Sequence, residues 1–263
     1  MDYFDLPGVN FSTLKYMATS PKMYRHMLTH KRPATDLMQL GSAAHIAILE
    51  PHKLDQCVTV FDGRRAGNKW VEFQIDNEGL IILRPPQMAH VQGMAESVRS
   101  NRDIMPYIES GMSEVALKWE DTETGTHLKG RADFFNNHNH LIDLKTTRTI
   151  NYREFQNQFA RMSYHAQLAM YEDGLTANGR EVKDVYVIAV ENTPPYESVI
   201  FNIDVMAIKT GRVMYQNWLD RLKVCTDKNE WIGAYDGLQT LDLPAWYDAG
   251  EEGCSLEDLD LIQ

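Results

Sequence analysis

Gly130-Arg131-Ala132-Asp133-Phe134-Phe135, then Asn136-Asn137-His138-Asn139, then His140-Leu141-Ile142-Asp143-Leu144-Lys145-Thr146 is the stretch on which the reading of this chain turns. Two strand-like runs, His127–Phe135 and His140–Thr146, flank a cluster of turn-forming residues, so the segment reads as a β-hairpin. In a strand, side chains at i and i+2 share a face, so Asp143 and Lys145 point the same way. Asp133 lies across the hairpin and can face Asp143 from the neighbouring strand. Leu141, Ile142 and Leu144 are apolar, so the two charges punctuate a strand that otherwise looks like core. Adjacent carboxylates repel unless a cation neutralises them. Oxygen ligands favour Mg²⁺ or Mn²⁺, which keep waters and accept phosphate as a further ligand. A lysine beside them can hold and polarise an attacking water. That set is the minimum for metal-assisted phosphodiester hydrolysis. An isolated D-x-K is also compatible with a surface salt bridge; Glu181-Val182-Lys183 has the same kind of spacing and reads as a solvated strand edge.

Three features around the hairpin bear on the choice. Glu114 opens an alternating run, Glu114–Glu120, and offers a third carboxylate or else an exposed acid. Gln167 and Tyr171 sit at i and i+4 on a following helix and share one face, where they either serve the site or cap a groove. His45 interrupts the small-residue run Gly41-Ser42-Ala43-Ala44, which permits close approach to another element; the plainer reading is a satisfied core histidine.

Further out, Ser12 and Ser20-Pro21 read as starts of two short helices within 12–30. Helices are predicted over 37–50, 86–101, 151–161, 163–176 and 204–224. Strands are predicted over Leu80–Leu83, Val182–Val190 and Glu197–Ile203, and 58–84 otherwise reads as a basic, Gly-containing loop. This order describes an α/β (α+β) fold around a central mixed sheet flanked by helices. Gly125-x-x-x-x-Gly130 imitates a phosphate-binding loop, but Arg131-Ala132 follows where Lys-Ser/Thr is needed, and it leads into a strand.

The chain has 263 residues, 43% apolar and 24% charged, ordinary for one globular core. No stretch approaches the roughly 18 apolar residues of a membrane span, and the first residues carry no secretory pattern. Cys57, Cys225 and Cys254 are too few and too scattered for a metal cluster or disulfide framework, so a cytoplasmic protein is expected. The net charge of −11 argues against nucleic acid at first sight, but it is unevenly spread. Nine acids and no base follow Lys228, leaving 26 basic against 28 acidic side chains in residues 1–228. The expected division is therefore a folded domain, 1–228, and an acidic extension, 229–263. Two basic clusters stand out: Lys22, Arg25, His26, His30, Lys31 and Arg32, and Arg64, Arg65 and Lys69. Such clusters can bind phosphates or simply solvate a surface. In the last part, about 248–263, Leu256, Leu259, Leu261 and Ile262 are interspersed with acids, which suits either docking on a partner or a solvating tail.

Taken together, Gly41–His45, Gly130–Asp133, Ile142–Thr146 and Tyr164-His165-Ala166-Gln167 with Tyr171 resemble the PD-(D/E)XK nuclease superfamily. Within it the likeness is to the RecE-type exonucleases, from Ser12 to about Leu222. The resemblance implies a restriction-endonuclease-like core and a Mg²⁺- (or Mn²⁺-) dependent, ATP-independent exonuclease. Such an enzyme degrades the 5′ strand of linear double-stranded DNA and leaves a 3′ overhang for a single-strand annealing partner. A homo-oligomeric ring, often a tetramer, is implied too. Residue by residue, His45, Asp133 and Asp143 match metal ligands, with the Leu144 carbonyl as another, and Lys145 matches the catalytic lysine. Glu114 matches an acidic position at the edge of the site, and Tyr164, Gln167 and Tyr171 match the helix motif near the DNA strand. The basic loop Arg64–Trp70 belongs to the same pattern. A single-strand or structure-specific nuclease, a non-catalytic DNA-end-binding protein and a phosphate-metabolite hydrolase remain as alternatives.

Overall fold

A computed structural model describes residue 3 and residues 6–30, 33–235 and 237–244. Lys31 and Arg32 of the first basic cluster, Cys254 and the 248–263 segment lie outside the described residues. In chain order the elements are α1 (Phe11–Leu14), α2 (Pro21–Thr29), α3 (Asp36–Leu49), α4 (Leu54–Cys57), β1 (Val58–Val60), α5 (Asn68–Asp76), β2 (Ile81–Leu83) and α6 (Pro85–Ser100). There follow α7 (Met105–Ile108), β3 (Gly111–Glu120), β4 (His127–Asn136), β5 (His140–Thr147), α8 (Tyr152–Arg161), α9 (Tyr164–Ala177), β6 (Asp184–Glu191), β7 (Ser198–Asn202) and α10 (Val205–Lys228).

The expected hairpin is β4–β5, the centre of a five-stranded sheet ordered β3-β4-β5-β6-β7. Pairing is antiparallel except between β5 and β6, which run parallel with Asp143 opposite Val187 and Lys145 opposite Ala189. The parallel step needs a crossover long enough to hold helices, and α8 and α9 supply it. One sheet face is covered by α9 and α10 with the N-terminal helices, burying Leu14, Leu117, Leu141, Leu168 and Leu219. The other carries α3 and α6, burying Ala44, Val91, Ile142, Leu144 and Ile188. Strands β5 and β6 therefore have both faces buried, which is why their sequences run nearly continuous in apolar residues.

Several local readings shift. Asn10, not Ser12, caps α1: its side chain accepts from the Thr13 N–H at 2.9 Å, and Ser12 lies inside the helix and donates back to Asn10. Ser20 does cap α2, with Pro21 at its first position. The 58–84 segment holds β1 and α5 as well as β2, forming a small parallel pair beside the main sheet. Beyond Lys228, Trp231 stacks on Tyr24 with ring centroids 6.0 Å apart, and the Lys22 N–H donates to the Ile232 carbonyl. No helix among the described residues is long and apolar enough to cross a membrane.

Candidate active site

Along β4, Leu128 and Ala132 pack toward α9, and Lys129 and Arg131 face the opposite way, into a cleft. The alternation then slips. Phe134 joins the α3-side core and Phe135 the α9-side core, so the phase set by Leu128 and Ala132 has changed by one residue. The slip coincides with a gap in the ladder: Ser113 pairs with Phe134 and Val115 with Ala132, while Glu114 and Asp133 between them do not pair. Glu114 has φ +51°, a left-handed conformation costly for a side chain with a Cβ and concentrated at functional sites in proteins generally. On the other side, β4 and β5 pair only through Phe134–Ile142 and Phe135–Leu141. Beyond that point the strands part. The Asp133 carboxylate takes the place of the ladder, Oδ2 accepting from the Leu144 N–H at 2.9 Å.

Into this split come groups from both layers. From α3, His45 Nδ1 stands 3.5 Å from Asp133 Oδ2; Gly41, a turn earlier, lies against Thr146 with no side chain in between, so the small residues do bring α3 down onto β5. His45, Glu114 and Asp133 each offer a ligand atom within 4.8 Å of the others. From β5, Lys145 Nζ meets Asp143 Oδ2 at 2.7 Å. Asp143 is 1% exposed, so the pair is withdrawn from water. From α9, Gln167 accepts from Lys145 at 3.3 Å, and its amide nitrogen lies 3.5 Å from Asp143 Oδ1 and 3.4 Å from the Tyr171 hydroxyl.

The electrostatics follow from crowding and burial. Burial pushes the Glu114 carboxyl up to about 7, although Arg131 at 2.7 Å opposes the shift; Asp133 and Glu50 add to it. Burial also raises Asp143, with Lys145 opposing. For Lys145, burial favours the neutral amine, yet Asp143 and Asp133 outweigh it and hold the ammonium above its ordinary range. Carboxylates that resist ionisation fit a divalent cation, which favours their charged form. A set of carboxylate oxygens and one imidazole fits Mg²⁺ or Mn²⁺. His45, Glu114 and Asp133 are the residues placed to hold it. Of the other expected ligands, Asp143 pairs with Lys145 through Oδ2, and Leu144, whose carbonyl is the expected ligand, donates its N–H to Asp133.

The family described as "PDDEXK-like domain of unknown function (DUF3799)" matches residues 10–238. The chain belongs to this PDDEXK-like family. Among solved structures, one described as a candidate exonuclease of Eubacterium rectale is similar over 84% of this chain and 81% of its own, with a TM-score of 0.61 at 15% identity. A phage-related exonuclease of Haemophilus somnus 129PT aligns over 85% of this chain and 97% of its own, with a TM-score of 0.35 at 15% identity. LHK-Exo in complex with dAMP aligns over 85% and 91%, with a TM-score of 0.38 at 14% identity. No curated protein matches the chain. The PDDEXK-like chain thus has the nuclease fold that its hairpin motif resembles.

The cleft of this PDDEXK-like protein has a volume of about 1180 Å³ and is walled by His45, Glu114, Asp133, Lys145, Gln167 and Tyr171 among others. Lys53, Lys129 and Arg131 also line it, and none of them stood out as a site residue in the sequence. Strand period was the available signal: Lys129 and Arg131 alternate into Asp133. Arg64, Arg65 and Lys69 are not in the wall. Arg65 is built into the fold, donating to the Ile82 carbonyl at 2.7 Å, pairing with Asp36 at 3.7 Å and lying over the Trp70 ring. Arg64 and Lys69 are exposed. Tyr164 lies behind Lys145, its ring centroid 4.6 Å from Nζ.

Proposed function

We propose that this protein is a divalent-metal-dependent, ATP-independent exonuclease. It degrades the 5′ strand of linear duplex DNA, as part of a homo-oligomeric ring that hands its 3′ overhang to a single-strand annealing protein. The observation that carries the reading is the split between β4 and β5, where Asp133 and Lys145 meet His45 and Glu114 in one open cleft, with Asp143 buried against Lys145. The exonuclease description of the Eubacterium rectale protein supports choosing DNA ends over internal sites.

His45, Glu114 and Asp133 would hold Mg²⁺ or Mn²⁺, which when bound supplies Lewis acidity and neutralises charge on the scissile phosphate. Lys145 carries three donors, directed by Asp143 and Gln167. The donor left over can orient a water for in-line attack and stabilise the charge that builds on the phosphoryl oxygens. Water adds to phosphorus as the bond to the 3′ oxygen breaks. Lys129 lines the cleft wall together with Lys53 and Arg131, whose ion pairs with Glu50 and Glu114 offset part of their charge, and these are the cations available to the flanking phosphates.

The test is to incubate end-labelled linear duplex, nicked circle and single strand with and without Mg²⁺. Metal-dependent release of nucleotides from the 5′-labelled strand of linear duplex is expected, with the nicked circle and ATP-free control separating end recognition from other activities. Cleavage of single strand alone, or of the circle, points to the single-strand or structure-specific alternative. Binding without cleavage in any metal points to an end-binding protein.

A further inference from the structure

We propose that Tyr164 is a positioning residue for Lys145: its ring face holds the ammonium from behind, and Gln158 holds the ring. The inference rests on the reading of Lys145 as the catalytic lysine. Lys145 Nζ lies 4.6 Å from the Tyr164 ring centroid, in the range where a cation is attracted to the ring's negative face. Asp143 and Gln167 take the ammonium from other directions. The cleft wall includes Lys145, and the half-buried Tyr164 is not among its lining residues.

The ring is itself held. Gln158 on α8 reaches the Tyr164 hydroxyl at 3.4 Å and accepts from Thr147 Oγ1 at 3.1 Å, tying the ring back to the end of the same strand that carries Lys145. Phe159 meets the ring edge-on at a centroid distance of 6.0 Å. Between α8 and α9, Ser163 adopts φ +57°, and this left-handed residue turns the chain so that Tyr164 opens α9 facing β5. The Tyr164 ring face and the Gln167 amide oxygen thus meet one ammonium from α9, a different element than its carboxylate partner. A four-carbon stem has many rotamers, and without the ring Lys145 has fewer contacts to select the one that aims its free donor into the cleft.

The test uses the full chain with ¹³Cε-labelled lysine, the Lys145 signal being assigned by its loss in Lys145→Arg. Ring current should shift the Lys145 ε-CH₂ protons upfield in wild type and in Tyr164→Phe, and release them to ordinary values in Tyr164→Leu. In parallel, Tyr164→Leu should lower kcat on duplex DNA on the order of 10-fold at unchanged KM, with Tyr164→Phe rescuing most of the loss. An ordinary Lys145 shift in wild type overturns the proposal without any variant. So does a Tyr164→Leu effect confined to KM, or a Tyr164→Phe protein that keeps the Lys145 ring-current shift yet is as impaired as Tyr164→Leu, since either marks a DNA contact. If wild type shows the shift but cleaves no DNA, the nuclease reading fails while the placement of Lys145 by Tyr164 stands.

Discussion

Taking a carboxylate and an ammonium out of water costs several kcal/mol per ion unless each finds the other. Asp143 and Lys145 are such a pair, and the stability consequence differs from the catalytic one. Asp143→Ala or Lys145→Ala alone leaves a buried charge unpaired and should destabilise the metal-free protein by about 3–5 kcal/mol in urea melts, while the double variant recovers part of that loss. Asp133→Ala, Asp143→Ala and Lys145→Ala should each slow cleavage by about 10² to 10⁴-fold, and Lys145→Ala should still bind duplex. Near-wild-type turnover in either aspartate variant would sink the site assignment. His45→Ala belongs with them if it loses activity, and with the core if it loses only thermal stability.

A second residue-scale consequence concerns acid. Burial lowers the proton affinity of His165, partly offset by a hydrogen bond with the Phe159 backbone, and burial lowers that of His140 against the opposing charge of Asp184. The unfolded chain therefore binds these protons more tightly than the folded one. Stability is fully present above the ordinary histidine range near 6.5 and falls as pH drops through it. The raised carboxyls of Glu114 and Asp143 act in the opposite sense over the same range, so the histidine contribution is read as a difference. From pH 8 to 5 the melting temperature of wild type should fall relative to that of His165→Gln, and a constant difference would show that His165 is not responsible. At this scale the D-x-K pair and its partner acid were legible, because period-2 geometry fixes which residues share a face. The left-handed turn at Glu114 and the ring behind Lys145 were not, since no spacing in the sequence encodes a phase slip or a contact from another helix.

Among the elements, α9 and α10 pack so closely that Gly211 lies directly on the His165 carbonyl, with no room for a Cβ. Arg212, the next residue, pairs with Glu172 and Asp173 on α9, at 2.5 and 2.8 Å, and Tyr215 adds a further hydrogen bond to Asp173. Gly211→Ala must push the helices apart, and should destabilise by about 1–3 kcal/mol despite the higher helix propensity of alanine. Because α9 carries Tyr164, Gln167 and Tyr171, cleavage should fall with it. A variant more stable than wild type, as propensity alone would give, would show that the contact yields easily. The strands and long helices could be read from hydrophobic period and turn residues. Helix α5 could not: it starts after Gly67 with no side-chain cap, buries none of its residues fully, and looks like the solvated basic loop that precedes it.

Over the whole molecule, the charge balance poses the last question, because a chain of net charge −11 must still attract a polyanion. Two groups of cations could do it. Lys53, Lys129 and Arg131 line the cleft, while Arg64 and Lys69 stand exposed outside its wall. Arg65 cannot be altered cleanly, because its contacts with Ile82, Asp36 and Trp70 make it part of the fold. The informative variant is therefore Arg64→Ser with Lys69→Ser, set against Lys53→Ser. Each lysine or arginine that neutralises a phosphate releases counterions on binding, and contributes about 0.9 to the slope of log affinity against log salt. If the duplex runs over the α5 loop, the double variant should weaken binding and flatten that slope by about 2, while single-turnover cleavage at saturating DNA stays unchanged. If the duplex touches only the cleft, the double variant should leave the slope unaltered and Lys53→Ser should flatten it by about 1. Fluorescence anisotropy across a salt series separates the two paths. A slope that neither variant moves would leave Lys129 and Arg131 as the cations that draw DNA in, on the same strand that carries Asp133 into the site.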